Sequence, residues 1–131
     1  MLKIVIIYSR FNESITRRMK SAAEKTAAEQ GATVVAVIDV PGAFEIPFAL
    51  KKILDRGQAD CCVALGAVIK GETDHDRVIA ETVAEKISSL SLEYKKPIGF
   101  GIIGPGVTWK QADARAEEYG RRATEAALEM T

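Results

Sequence analysis

Four short runs of nearly continuous apolar residues punctuate the chain, at Leu2–Tyr8, Thr33–Asp39, Cys61–Ile69 and Pro97–Ile103, each rich in β-branched side chains. Their length and composition predict strands, and the lack of a polar alternate face predicts strands covered on both sides. Between them the apolar positions recur at helical spacing. A helix over Glu13–Gln30 places Ile15, Met19, Ala22, Ala23 and Thr26 on one stripe, with Asn12 at its N-cap and Gly31 as its stop. A second, over Ile46–Arg56, stacks Ile46, Ala49, Leu50, Ile53 and Leu54, tolerates Pro47 in its first turn and ends at Gly57. A third opens near Asp74, carries Ile79, Val83, Ile87 and Leu90, and is stopped before Pro97. The fourth opens on the capping-box pattern Thr108-Trp109-Lys110-Gln111 and is expected to bury Ala112, Ala116, Tyr119, Ala123, Ala126 and Met130.

Four strand–helix alternations without a repeat or a linker predict one domain over residues 1–131, with a parallel sheet between two helical layers. The expected architecture is a three-layer α/β/α sandwich with a four-stranded, flavodoxin-like parallel sheet in the order 2-1-3-4. In open sheets of this kind ligands bind beyond the carboxyl ends of the strands, so the four strand-to-helix junctions are where chemistry is expected.

Composition narrows the function without choosing it. Eighteen Lys+Arg balance eighteen Asp+Glu, so the broad basic field of a nucleic-acid binder is missing. No apolar run approaches the roughly 18 residues of a membrane span, and the first apolar run is too short for a signal peptide. A soluble, cytoplasmic protein is expected. Cys61 and Cys62 are adjacent within a predicted strand, so they face opposite ways and are poorly placed to bridge. With a single histidine, they make no zinc pattern.

The junctions themselves carry several candidate groups. After the first strand, Phe11 stands outside any stripe, as a hydrophobic staple on the following helix or as a stacking platform for a planar ring. After the second, Pro41 and Pro47 stiffen a loop in which Gly42 permits close approach. Glu45 there either complements a helix start or binds a polyol or amine. The third junction, Gly66 to Asp76, runs through Gly71 into a helix, so backbone N–H groups near Glu72 and Thr73 suit an oxyanion or phosphate. His75, the only histidine, falls in the first turn of that helix, where it is either an exposed bystander or a proton carrier. The fourth junction, with Gly104-Pro105-Gly106, reads as a turn of unusual backbone angles. On the last helix Arg115 and Arg122 share a face, as a salt-bridged surface with Glu118 and Glu125 or as guanidinium groups for phosphate. There is no Gly-Xaa-Gly-Xaa-Xaa-Gly after the first strand and no Gly-Lys-Ser/Thr phosphate loop, which lowers dinucleotide and nucleoside-triphosphate readings. The absence of acidic residues at the end of that strand also disfavours a phosphoryl-receiver domain.

Taken together, Arg10-Phe11-Asn12, the run VPGAFEIP from Val40 to Pro47 and the run ALGAVIKGETDH from Ala64 to His75 resemble successive active-site segments of the 6,7-dimethyl-8-ribityllumazine synthases. The resemblance covers nearly the whole chain in order and spacing. The segments GETDHD and IIGPGVT look most like the archaeal branch. It implies a flavodoxin-like fold and the condensation of 5-amino-6-(ribitylamino)uracil with 3,4-dihydroxy-2-butanone 4-phosphate, with no metal or redox cofactor. By the same resemblance, Phe11 would stack on the pyrimidine with Asn12 beside it. Ala43, Phe44 and Glu45 would line the ribityl chain, and the backbone at Val68 and Ile69 would read the uracil edge. Glu72 and Thr73 would offer N–H groups to phosphate, and His75 would move protons. It further implies a homopentamer or a multiple of pentamers, in which a neighbouring copy contributes Phe100, Arg115 and Arg122. Arg115 would hold phosphate, and Arg122 stands where the family carries a lysine.

Two other functions share these features. An archaeal-type riboflavin synthase, which dismutates two lumazines, is similar in fold, but the GETDHD segment and the absence of a long extra C-terminal segment favour a lumazine synthase. A non-enzymatic flavin carrier would place a hydroxyl-rich phosphate loop after the first strand, which Ser9 to Thr16 matches only loosely.

Overall fold

The computed structural model describes residues 1–131. Four parallel strands, β1 (Lys3–Ser9), β2 (Thr33–Val40), β3 (Cys61–Ile69) and β4 (Ile98–Val107), form one sheet in the order β2-β1-β3-β4. The helices are α1 (Glu13–Glu29), α2 (Ile46–Arg56), α3 (His75–Tyr94) and α4 (Trp109–Glu129). The expected topology is the observed one. From β1 to β2 the chain crosses the sheet in one direction, and from β2 to β3 to β4 in the other. Right-handed crossovers therefore put α1 on one face and α2 and α3 on the opposite face.

The core divides accordingly. Ile46, Leu50 and Ile53 of α2 and Val83 and Ile87 of α3 pack on Val5, Ile7, Cys62 and Ala64. Ile15, Met19 and Ala23 of α1 and Ala116 and Ala123 of α4 pack on Ile4, Ile6, Cys61 and Val63. Alternate residues of β1 and β3 thus feed two separate cores, which is why these strands are apolar on both faces. Cys61 and Cys62 lie on opposite sides as expected and are both free. Burial pushes the Cys62 thiol up to about 12 and raises that of Cys61 as well.

On the second of these faces, small residues set the distance between layers. A Cβ on Gly99 of β4 would overlap the Ala123 carbonyl oxygen of α4, and one on Gly120 of α4 would overlap the Met19 carbonyl oxygen of α1. Arg18 then spans the two helices, its guanidinium donating to both oxygens of Glu117 at 2.7 Å, to Asp113 Oδ1 at 2.5 Å and to the Asp113 carbonyl at 2.9 Å. These bonds hold the Glu117 carboxyl below its ordinary range.

Four local expectations are corrected. β2 is not covered on both faces, because it is an edge strand whose alternate residues, Val35 and Val37 among them, are exposed. The Gly104-Pro105-Gly106 segment is no turn after β4 but a bulge inside it: β3 pairs Ala67 with Ile103 and then Ile69 with Val107. Gly104 is needed there because φ is 113° and a Cβ would overlap the Val68 carbonyl oxygen. Asn12 occupies the N-cap position of α1 in a left-handed conformation, φ 62°, without capping it; its amide is engaged elsewhere. On α4 the buried stripe is Ala112, Ala116, Gly120, Ala123, Thr124 and Ala127, while Ala126 and Met130 are exposed and Tyr119 is half-buried. Glycine and threonine at the true contact positions disguised it, and Thr124 satisfies its buried hydroxyl by donating to the Gly120 carbonyl at 2.8 Å.

Candidate functional site

The strand order reverses direction between β1 and β3, and a cleft of about 520 Å³ opens beyond the carboxyl ends of β1, β2 and β3. Three junctions build it. The first is pinned to the second by main-chain bonds, Arg10 N–H to the Val40 carbonyl at 2.8 Å and Phe11 N–H to the Pro41 carbonyl at 3.0 Å. Phe11 is thereby held at the cleft with 71% of its surface exposed, too little buried for a hydrophobic staple. The neighbouring Asn12 donates from Nδ2 to the Ala67 carbonyl at 2.9 Å, joining the start of α1 to the end of β3.

A single 3-10 turn over Ala43–Glu45 follows β2 and shapes the second wall. Ala43 is buried beneath the cleft, and Phe44, 59% exposed, lines it. Glu45 also lines it, and its Oε1 accepts from the Gly42 N–H at 2.8 Å, so the carboxylate completes the turn as well as facing the cavity.

The third wall is the end of β3 and the start of α3. Val68 and Ile69 form the floor, with Gly71, Thr73 and His75 above them. No backbone carbonyl accepts from the N–H groups of Gly71, Glu72 or Thr73, which leaves donors free at the positive end of α3. Thr73 Oγ1 accepts instead from the His75 N–H at 3.3 Å. Glu72 is exposed and stands outside the cleft lining.

One residue of this wall escaped the reading of the chain. Asp76 is only 7% exposed, and its Oδ2 accepts from the Gly106 N–H at 3.0 Å, which ties α3 to the β4 bulge. That bond, with further help from backbone N–H groups of the first helical turn, holds its carboxyl below the ordinary range. An acid beside His75 at a helix start was visible in the sequence. Its partner, thirty residues on, was not.

The remaining expected residues lie apart. Phe100, Arg115 and Arg122 do not reach this cleft. Phe100 and Arg122 border a larger groove of about 740 Å³ between β4 and α4, with Tyr119 and Met130. That groove carries none of the three junctions. Arg122 approaches Glu118 at 3.6 Å, whereas Glu125 pairs with Arg121 at 2.7 Å and not with Arg122. Arg115 is exposed and makes no ion pair. The cleft itself contains two carboxylates and one imidazole but no lysine or arginine. No three His, Cys, Asp or Glu side chains converge to hold a metal ion, and no helix is long and apolar enough to cross a membrane.

Comparison with known proteins bears on the fold and the family. Among solved structures, a flavone reductase superposes with a TM-score of 0.51 at 18% identity, covering 98% of this chain and 64% of that one, which shows a shared fold. The family model for 6,7-dimethyl-8-ribityllumazine synthase matches residues 1–131. Proteins named 6,7-dimethyl-8-ribityllumazine synthase are 53% identical in Metallosphaera sedula, over 98% of this chain and 85% of that protein, and 45% identical in Methanocaldococcus jannaschii, over 99% and 92%. A third, from Staphylothermus marinus, is 48% identical over 99% of this chain and 87% of its own. With its whole length matched and its junction residues gathered at the sheet's switch point, the chain belongs to the 6,7-dimethyl-8-ribityllumazine synthase family.

Proposed function

We propose that the cleft beyond β1, β2 and β3 condenses 5-amino-6-(ribitylamino)uracil with 3,4-dihydroxy-2-butanone 4-phosphate to form 6,7-dimethyl-8-ribityllumazine, in riboflavin biosynthesis. Family membership carries the reaction. The observation that supports this location is the convergence of Phe11, Phe44, Val68, Ile69, Thr73 and His75 on one cavity.

The chemistry asks for little beyond placement. One amine of the uracil adds to the ketone and water leaves, giving an imine; phosphate is eliminated; the second amine closes the ring with loss of another water. A phosphate leaving group needs little activation, so orientation and modest proton transfer suffice. Phe11 offers its exposed ring face to the pyrimidine, with Asn12 beside it. Ala43, Phe44 and Glu45 accommodate the ribityl chain, and the main chain at Val68 and Ile69 meets the uracil edge. The free N–H groups at Glu72 and Thr73 suit the phosphate, and His75 carries protons.

A cleft without lysine or arginine is incomplete for a dianionic phosphate. That supports a homo-oligomer, a pentamer or a multiple of pentamers, in which Arg115 of a neighbouring copy reaches the phosphate while Phe100 and Arg122 border the same composite site.

The test mixes the protein with both substrates, without metal or nucleotide, and follows lumazine absorbance and inorganic phosphate above the spontaneous background. Matching formation of both is expected. If neither rises while lumazine alone is converted, the protein is a riboflavin synthase; if nothing is converted and the purified protein carries flavin, it is a carrier.

A further inference from the structure

Asp76 is the one buried carboxylate in a chain with eighteen acidic residues, and no lysine, arginine or histidine forms an ion pair with it. A carboxylate so withdrawn from water is kept only where donors compensate it. Here the compensating long-range donor is the Gly106 N–H, 3.0 Å from Oδ2, at the crest of the β4 bulge. The other side of that bulge is bonded to the chain just past the cleft floor, since Lys70 N–H donates to the Val107 carbonyl at 2.9 Å. Asp76 therefore closes a ring of contacts that runs from the end of β3 across the bulge to the first turn of α3.

His75 precedes Asp76 on that turn. Both residues line the cleft, and successive side chains on a helix are rotated by about 100°, so holding Asp76 in its buried position against Gly106 fixes where His75, the exposed neighbour, stands on the cleft wall. Nothing else holds the imidazole: its side chain makes no hydrogen bond and no ion pair in the protein. We infer that Asp76 is a positioning residue of the active site, which sets the direction of His75 by anchoring the start of α3 to the backbone of Gly106. The inference rests on the proposed role of His75 and goes beyond it by naming the device that aims the imidazole.

The test is a double-mutant cycle on the assembled enzyme. His75→Ala is expected to lower kcat about a hundredfold or less, because proton transfer is only part of the assistance the reaction needs. Asp76→Ala is expected to lower kcat about tenfold with KM for either substrate nearly unchanged, and to lower it no further in the His75→Ala background. Asp76→Asn keeps an oxygen acceptor for Gly106 and should restore most of kcat. An unchanged kcat in folded Asp76→Ala, or equal losses from it with and without His75, would overturn the inference and leave the role of His75 standing. An unchanged kcat in His75→Ala would sink that role and the inference together. Amide hydrogen exchange in the unaltered protein tests the anchor without any variant: Gly106 should exchange slowly, and exchange as fast as an unbonded loop amide would count against the device.

Discussion

Phe11 illustrates how far a single residue can be read. Its position outside every apolar stripe marks it as unused by the core, and the structure leaves it 71% exposed at the cleft. Because little of the ring is buried, Phe11→Ala should leave the unfolding transition within about 0.5 kcal/mol of the unaltered protein. Loss of an aromatic stack worth about 0.5–1.5 kcal/mol should raise KM for the aminouracil roughly two- to tenfold, and Phe11→Trp should recover it. Steady-state kinetics with the butanone phosphate saturating, beside a urea transition, check both halves; a large stability loss with unchanged KM would return Phe11 to the core. Asn12 shows the other side of residue-level reading. Its type favoured an N-cap, but an amide has a second use, and the contact with the Ala67 carbonyl depends on β3 lying beside β1, which local sequence does not encode. Glu45 takes the first of its two expected roles, since one carboxylate oxygen completes the turn before α2, while the side chain borders the cleft.

Elements were legible where one physical cause dominated. Continuous β-branched runs became strands, and Gly31 and Gly57, both in left-handed conformations, stopped α1 and α2 where a side chain would be strained. The bulge in β4 was not legible, because glycine and proline signal a turn and a bulge alike, and only the pairing with β3 separates them. On α4 the expected Ala112, Ala116 and Ala123 are buried, but Ala126 and Met130 are not, for a related reason: hydrophobicity marks what a helix buries only where the neighbour leaves room for side chains. Gly120 lies against the Met19 backbone, where space and not apolar area decides. Gly120→Ala sets two effects against each other. Alanine favours a helix interior over glycine by about 1 kcal/mol. The added Cβ would meet a carbonyl oxygen that no rotamer can move, and such overpacking costs about 1–3 kcal/mol, more where backbone must shift. Steric cost should win, lowering stability by about 1–2 kcal/mol in urea unfolding at fixed protein concentration; a stabilised variant would mean that α1 and α4 separate easily.

At the scale of the whole molecule, one chain carries every residue expected of the proposed site but does not bring them together. Phe11, Thr73 and His75 meet at the switch point of the sheet, while Arg115 stands exposed on α4 without an ionic partner. The free edge of the sheet has an apolar border of its own: Phe100 on the edge strand β4 is 44% exposed, and Met130 of α4 and Leu92 of α3, which line grooves beside it, are more exposed still. Contiguous apolar exposure of this kind marks a contact surface for another chain. The shared-site arrangement therefore predicts complementation between two damaged copies. Arg115→Ala alone should raise KM for the butanone phosphate about tenfold or more, the cost of one charge-assisted contact, and His75→Ala alone should lower kcat. In assemblies formed from equal amounts of both variants, roughly a quarter of the sites pair an intact His75 with an intact Arg115 from the neighbour. At a butanone phosphate concentration near the unaltered KM, the mixture should exceed the mean of its two components, and light scattering should report one oligomer mass throughout. Activity equal to that mean in a confirmed mixed assembly would place Arg115 and His75 in the service of the same chain, and the missing cation of the cleft would then have to come from a movement of α4.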